Sequence, residues 1–302
     1  MNRHVFNFKC KIMMDNESQS LESSKADKRQ QMSRKITQLV DDLPLFPTDI
    51  NQLLTAAVKP AEGGKEILRL IESDPRLSGQ LLALVRSYFG RTENFESIED
   101  AVQRVGIRSL VQLIGISFAR NTILQEFVAL KNLNDYVNHS EDIYIASDVL
   151  CGICSLPQEQ RQIHALAGLV HDVGRLAILA AGNKTGARVL GTLWDRMVSV
   201  IHQEKAELGM DHCEVGARIC RRWNFSPVIQ EAVLRHHSPI MNGDFSFAGA
   251  IIFLSHFVSA SDPSGEILAT LLATKVLKKL DLTPVDFEKA REQYESRTKN
   301  SS

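Results

Sequence analysis

The stretch Ala165-Leu-Ala-Gly-Leu-Val-His171-Asp172-Val-Gly-Arg175-Leu-Ala-Ile-Leu-Ala-Ala181 decides the fold. Its only polar side chains are His171, Asp172 and Arg175. A segment apolar on most faces reads as a helix in the middle of a bundle. At 100° per residue one stripe holds Ile163, Leu166, Ala167, Val170, Val173 and Ala177, while Leu169, Leu176 and Ala180 cover the other side. The strip between them carries His164, Gly168, His171, Asp172 and Arg175. A buried carboxylate without a partner costs on the order of several kcal/mol. Asp172 therefore needs a cation, and either a divalent metal with imidazole ligands or Arg175 three residues on would serve.

Outward from this segment the helical spacing repeats. Ile36, Leu39, Val40 and Leu43 follow i, i+3, i+4, i+7 before Pro44, and Ile50, Leu53, Leu54 and Ala57 do the same. Residues 65–72 predict a short helix, Leu77 to Val85 lie in the next, and Ser97-x-x-Asp100 reads as a capping box ahead of Ile98, Ala101, Val102 and Val105. Gly106 closes that helix, and 107–127 forms a longer one. Further helices are predicted near 138–154, 158–181, 186–207, 211–223, 227–237, 246–260 and 265–280. No alternating strand is visible. The chain reads as all-α: a disordered leader over 1–32, an N-terminal helical part over 33–131, a histidine-bearing bundle over 132–281 that can share its core, and a polar tail over 282–302 that can end in a short helix.

Composition narrows the function classes. Over 302 residues, 35 Lys+Arg balance 36 Asp+Glu, so no global field draws the protein to nucleic acid or an anionic membrane. A local basic patch is formed by Arg218, Arg221 and Arg222. Five cysteines without a disulfide rhythm point to a reducing, cytoplasmic setting. Cys151-Gly-Ile-Cys154 falls one helical turn apart, with neither a preceding strand nor a second pair, and predicts no redox or zinc role. No apolar run is expected to reach the roughly 20 residues of a membrane span.

Histidine placement carries the chemistry. His139 lies one turn before Ile143 on the stripe Ile143, Ala146, Leu150, Ile153. His212 extends the stripe Val215, Gly216, Ile219, Cys220, Trp223, and His236 continues Ile229, Ala232, Val233, with His237 beside it. Each alone reads as a hydrogen-bonded core residue. Four helices aiming His139, His171, Asp172, His212, His236 and His237 inward together read as a site for a divalent metal, with Fe, Mn, Zn and Ni all suited to imidazole and carboxylate ligands.

These residues resemble the HD superfamily of metal-dependent phosphohydrolases and, more narrowly, its HDOD (HD-related output domain) family. Leu43-Pro-Leu-Phe-Pro47, Ser73-Asp-Pro-Arg-Leu-Ser-Gly-Gln-Leu-Leu82, Ser97-Ile-Glu-Asp-Ala-Val-Gln-Arg-Val-Gly106, the His-Asp pair, Asp211-His-Cys-Glu-Val-Gly216 and His236-His237 occur in that family's order. The resemblance implies an all-helical HD-like bundle with an N-terminal helical subdomain packed on it. It implies a regulatory module of bacterial signal transduction, acting through signalling proteins, in which catalysis is not the rule. The related HD-GYP group hydrolyses cyclic dinucleotides with a metal cluster whose ligands occupy positions like His139, His171, Asp172, His212, His236 and His237.

Several positions depart from the hydrolytic pattern. Leu254-Ser-His256 stands where HD proteins end in an aspartate ligand, and His256 falls just off the stripe Ile251, Leu254, Ser255, Val258. Arg175 replaces the usual lysine, and no Gly-Tyr-Pro loop follows His237. Arg86-Ser87 replaces the usual Asn-Ser. If the site were active as a phosphohydrolase on a nucleotide or cyclic dinucleotide, Asp172 would orient the nucleophilic water, and Arg175 with Arg161 would hold a phosphate.

Overall fold

Leu43 and Pro44 end the first helix and begin a strap that ties the two halves of the chain together. In the computed structural model, which describes residues 25–46, 68–69, 71–72, 75–89, 95–126, 130, 133–185, 199–259 and 267–299, helix α1 runs over 25–42. After it, Arg222 donates through Nη2 to the Leu43 carbonyl at 2.8 Å and Trp223 Nε1 to the Pro44 carbonyl at 3.1 Å. Phe46 then stacks on Trp223 with ring centroids 5.2 Å apart and meets Phe225 at 6.1 Å. The Leu-Pro-x-Phe segment is thus a docking strap: Pro44 has no N–H to satisfy, and its carbonyl and its neighbour's take donors from the far half.

The other described residues are mostly helical. Helices α2 (Pro75–Phe89), α3 (Ile98–Val105) and α4 (Ile107–Glu126) follow in the N-terminal part. Helices α5 (Leu133–Ile153), α6 (Gln158–Gly168), α7 (Val173–Thr185), α8 (Ser199–Leu208), α9 (His212–Arg222) and α10 (Pro227–Arg235) follow. A two-residue hairpin of β1 (Ile240–Met241) and β2 (Asp244–Phe245) precedes α11 (Phe247–Ser259), α12 (Ile267–Lys279) and α13 (Pro284–Lys299). That hairpin, turning through Asn242 and Gly243 at positive φ, is too short for alternation to reveal it.

The capping box predicted at Ser97 is half formed, and the helix predicted from near 138 begins earlier, at Leu133. Ser97 Oγ accepts from the Asp100 backbone N–H at 3.2 Å, but the Asp100 carboxylate reaches back to Glu96 N–H rather than to Ser97, so half of the capping box is displaced by one residue. Asp211 and Glu214 make the full reciprocal box at the start of α9. The helix predicted at 50–57 lies outside the described residues, as do 186–198 of the helix predicted over 186–207.

One apolar cluster runs from Ile36 and Val40 through Leu110, Val111 and Leu166 to Val233 and Ile252, crossing the expected boundary at 131. A second gathers α5, α11, α12 and α13 around Val149, Phe253, Val276 and Ala290. One expectation is corrected and one enlarged. Residues 25–32 of the expected disordered leader are helical. The short helix expected in the polar tail is the 16-residue α13, which buries Ala290 and Tyr294 against α5. It is anchored by a half-buried charge cluster: Asp148, 6% exposed, accepts from Arg161 Nε at 2.6 Å and from Arg297. A sparse apolar face needs such polar fastening, which a helical wheel of so polar a segment does not show.

The segment Gln158–Gly182 does reach the length and apolar content of a membrane span, contrary to the sequence expectation, but 94% of its most apolar window is buried inside the bundle. The Cys151 thiol is buried with its pKa pushed well up, and that of Cys154 is pushed up to about 11, first of all by burial. Neither is activated. Replacing Asp148 by Ala is expected to lower unfolding stability by roughly 2 kcal/mol, because it strands two arginines that remain partly solvated. Urea unfolding of the full chain measures this, and an unchanged midpoint would count against the fastening role of Asp148.

Candidate metal centre

The segment predicted as one helix over 158–181 is broken at its centre. Residues 169–172 form a turn between α6 and α7, with shortened backbone bonds from Leu169 N to Leu166 O, Val170 N to Ala167 O and Val173 N to Val170 O, each 3.1 Å. The physical reason lies in two glycines. A Cβ on Gly168 would stand 2.8 Å from the Tyr144 backbone nitrogen, and one on Gly174 would stand 1.9 Å from the His212 carbonyl oxygen. Backbone contact with α5 on one side and α9 on the other forces the chain to change direction between them. The turn delivers His171 and Asp172 into the space among α5, α9, α10 and α11.

Around Asp172 the imidazoles converge. Oδ1 lies 3.2 Å from His212 Nε2 and 3.4 Å from His236 Nε2. Oδ2 lies 3.5 Å from His171 Nε2 and 3.9 Å from His139 Nε2. His237 packs on His212 and His236, with centroids at 4.9 and 4.2 Å. His256 packs on His139 at 5.1 Å and on His171 at 5.0 Å. All six residues expected at the site are therefore in one cluster, and His256, placed just off its apolar stripe by the sequence, joins them.

The far sides of the rings are held. Nδ1 of His171 donates to Gly168 O at 2.8 Å, that of His236 to Val233 O at 2.7 Å, and that of His256 to Ile252 O at 2.9 Å. His212 Nδ1 meets Glu204 Oε2 at 2.6 Å. A carbonyl can only accept, so these Nδ1 atoms carry the proton and Nε2 faces inward. This is how outer partners orient metal-binding histidines. Glu204 was not legible beforehand, since nothing in the sequence links α8 to the histidines. Arg161 and His164 fall away from the cluster: Arg161 is committed to Asp148, and His164 packs on Phe247. The expected role of Arg161 as a phosphate ligand is thereby not supported by its position.

Arg175 meets the Asp172 demand seen in the sequence. Its Nε donates to Asp172 Oδ1 at 2.9 Å, and its Nη2 lies 3.3 Å from His237 Nε2. Asp172 is 1% exposed; burial alone would raise its pKa, but the Arg175 charge and His171 hold it well below the carboxylate range. Burial, followed by the charge of His171, pushes His139 down to about 3. Burial likewise lowers His171, His237 and His256. His236 is raised to about 9: burial opposes this, but Cys213 and Asp172 outweigh it. His212 is also raised, with Cys213 and Glu204 overcoming burial and Arg175.

The donor set fits a divalent ion. Asp172 Oδ2 and His171 Nε2 are buried, face each other and make no hydrogen bond. Two acceptors confronting one another in this way call for a cation between them. His139, His171 and His256 bring ring nitrogens within 4.8 Å of one another, and two ring nitrogens of His171 and His236 and a carboxylate oxygen of Asp172 fall within the same distance. A third grouping joins Cys213 to His212, His236 and His237. Cys213 had no signal as a donor in the sequence.

A family model for the HDOD domain matches residues 43–239. The chain belongs to the HDOD family. Among relatives, an uncharacterized protein of Treponema pallidum (strain Nichols) is 25% identical over 212 residues, which is 69% of this chain but 40% of that protein, so this HDOD chain spans well under half of its relative's length. A solved structure from Shewanella amazonensis SB2B, named "Putative metal-dependent phosphohydrolase", is 18% identical with a TM-score of 0.56, covering 90% of this chain and 99% of that one. Another from Marinobacter aquaeolei VT8, named "Putative signal transduction protein", is 20% identical with a TM-score of 0.58, covering 91% of this chain and 63% of that one. At these identities the two structures establish a shared helical fold. The family match ends before His256.

Two outcomes follow for this HDOD chain. Gly174→Ala is expected to separate α7 from α9 and cost upwards of about 3 kcal/mol, with loss of bound metal, because backbone rather than a flexible side chain blocks the new methyl. Denaturant unfolding with metal analysis checks it. The second concerns pH in chelator. His139, His171, His237 and His256 are neutral in the fold, so their contribution is full above about pH 6.5 and is lost as pH falls. His212 and His236 keep protons that the unfolded chain releases, so their contribution is full below about pH 6.5 and is lost as pH rises, through about 9 for His236. Urea midpoints should therefore peak near pH ~6.5, falling more steeply on the acid side. A monotonic profile would contradict these assignments.

Proposed function

We propose that this chain is a regulatory module of signal transduction in which one divalent ion, held by Asp172 and the surrounding histidines, fixes a helical arrangement that a signalling protein reads. The observation that carries this reading is closure. His171, His212 and His236 are fully buried, and Asp172 and His237 are 1% and 2% exposed. Structural metal sites are closed, whereas catalytic ones keep a position open to substrate. The ligands on the Asp172 Oδ2 side come from α5, α11 and the turn after α6, and α5 and α11 each belong to both apolar clusters, so a bound ion would cross-link them. Arg175, expected to grip a phosphate in a hydrolase, is 7% exposed and occupied by Asp172. The name of the Marinobacter structure agrees with a signalling role.

One observation favours a metal-dependent phosphohydrolase instead. The His139 side chain is 24% exposed, giving the Asp172 Oδ2 side of the cluster an edge on solvent. The name of the Shewanella structure points the same way. A bound divalent ion would supply a Lewis acid there. In that case Asp172 and His139 would orient the attacking water, while Arg175 could reach a phosphate only by leaving Asp172.

The readings separate in one set of measurements on purified protein loaded with iron, manganese, zinc or nickel. The module predicts a thermal midpoint raised by the metal, corresponding to about 2.7 kcal/mol at a free metal concentration a hundredfold above Kd. It also predicts no turnover of cyclic dinucleotides or of a nucleotide panel. Asp172→Ala should abolish the metal-dependent shift. Metal-dependent turnover that disappears in Asp172→Ala would overturn the module in favour of the hydrolase.

A further inference from the structure

Asp172 divides its cluster into two unlike halves, and the division is set by where Arg175 ends. On the Oδ2 side stand His139, His171 and His256, with Asp172 Oδ2 and His171 Nε2 confronting one another without a hydrogen bond. On the Oδ1 side stand His212, Cys213, His236 and His237, whose donor atoms also fall within 4.8 Å of one another. His212 Nε2 and His236 Nε2 are 3.3 Å apart, and Cys213 Sγ is 3.9 Å from His236 Nε2. Such spacings suit a tetrahedral ion with nitrogen and sulfur ligands. Yet the guanidinium already stands against this half, with Nε on Asp172 Oδ1 at 2.9 Å and Nη2 at 3.3 Å from His237 Nε2.

We propose that Arg175 is a tethered cation standing in for a second metal ion, so that the cluster takes one divalent ion, on the Oδ2 side, and keeps a latent sulfur-bearing site on the Oδ1 side closed. This rests on the metal-binding reading of the cluster. A guanidinium is permanently protonated and cannot ligate a metal. While it holds Oδ1 it removes the carboxylate from that half and sets a positive charge beside any incoming ion. Removing Arg175 would leave Asp172 with a free buried oxygen next to three imidazoles and a thiol, a donor set that selects zinc or cobalt over harder ions.

Cobalt(II) titration of chelated full-length protein tests this, because thiolate ligation gives a near-ultraviolet sulfur-to-metal charge-transfer band that nitrogen and oxygen ligands lack. The unaltered chain is expected to take one equivalent without that band. Arg175→Met, similar in reach but uncharged, should take two, with the band, and the band should vanish when Cys213→Ala is added. Arg175→Leu, also uncharged and without a donor to Asp172, serves equally if the methionine variant does not fold. In chelator the variants should melt below the unaltered chain, and cobalt should restore them, since metal replaces the lost cation. Two equivalents or a sulfur band in the unaltered chain would overturn the proposal while leaving metal binding intact. So would a variant that binds no more cobalt than the unaltered chain. No cobalt in the unaltered chain or in either variant would remove both the proposal and the metal reading beneath it.

Discussion

A single buried carboxylate organises this protein. Asp172, almost without solvent, must be matched by positive charge or strong donors, and the chain surrounds it with imidazoles from α5, α9, α11 and the turn after α10 and with Arg175 from α7. Most other features of the centre are conditions for that arrangement. The turn over 169–172 exists to bring Asp172 and His171 inward. Gly168 and Gly174 exist as glycines because backbone, not side chains, occupies the places their Cβ atoms would take. Glu204 and three backbone carbonyls hold the rings so that Nε2 looks at the carboxylate.

The cluster also lies where the two apolar cores meet. Ile143 on α5 belongs to one and Val149 on the same helix to the other. On α11 the same split separates Ile252 from Phe253. His139 and His256 come from those two bridging helices, so whatever binds at the centre couples the N-terminal half to the C-terminal helices. The strap from Leu43 to Phe46 makes a second, purely structural coupling through Arg222 and Trp223. The chain thus has two independent couplings between its halves, one through the centre and one through the strap.

Much of this was legible in the sequence, for identifiable reasons. Apolar spacing placed most helices, and the inward stripes placed His139, His212 and His236 because a helix of ordinary pitch fixes which face a residue occupies. The same logic failed at residues 158–181. Periodicity assumes an unbroken helix, and the break there is imposed by contacts with α5 and α9, which are distant in sequence. His256 looked marginal because a wheel reports one helix's face but not the tilt with which that helix meets its neighbours. Glu204, Cys213 and the commitment of Arg161 to Asp148 carried no local pattern at all. Helix α13 read as no more than a short helix in a tail because its polar sequence hides a small buried face, Ala290 and Tyr294, fastened by ion pairs rather than by apolar area.

His256, standing where the HD pattern that the sequence resembles ends in an aspartate, takes a negative charge away from the centre, while Arg175 in place of a lysine keeps a positive one. An added imidazole in place of a carboxylate, and a cation already on Oδ1, both favour fewer bound metal ions. The most direct test of the account is the anomalous scattering of a crystal of the full chain grown with zinc or manganese. The account predicts one peak, lying among His139, His171, His256 and Asp172 Oδ2. No peak at the cluster, or a peak among His212, His236 and His237 instead, would contradict it.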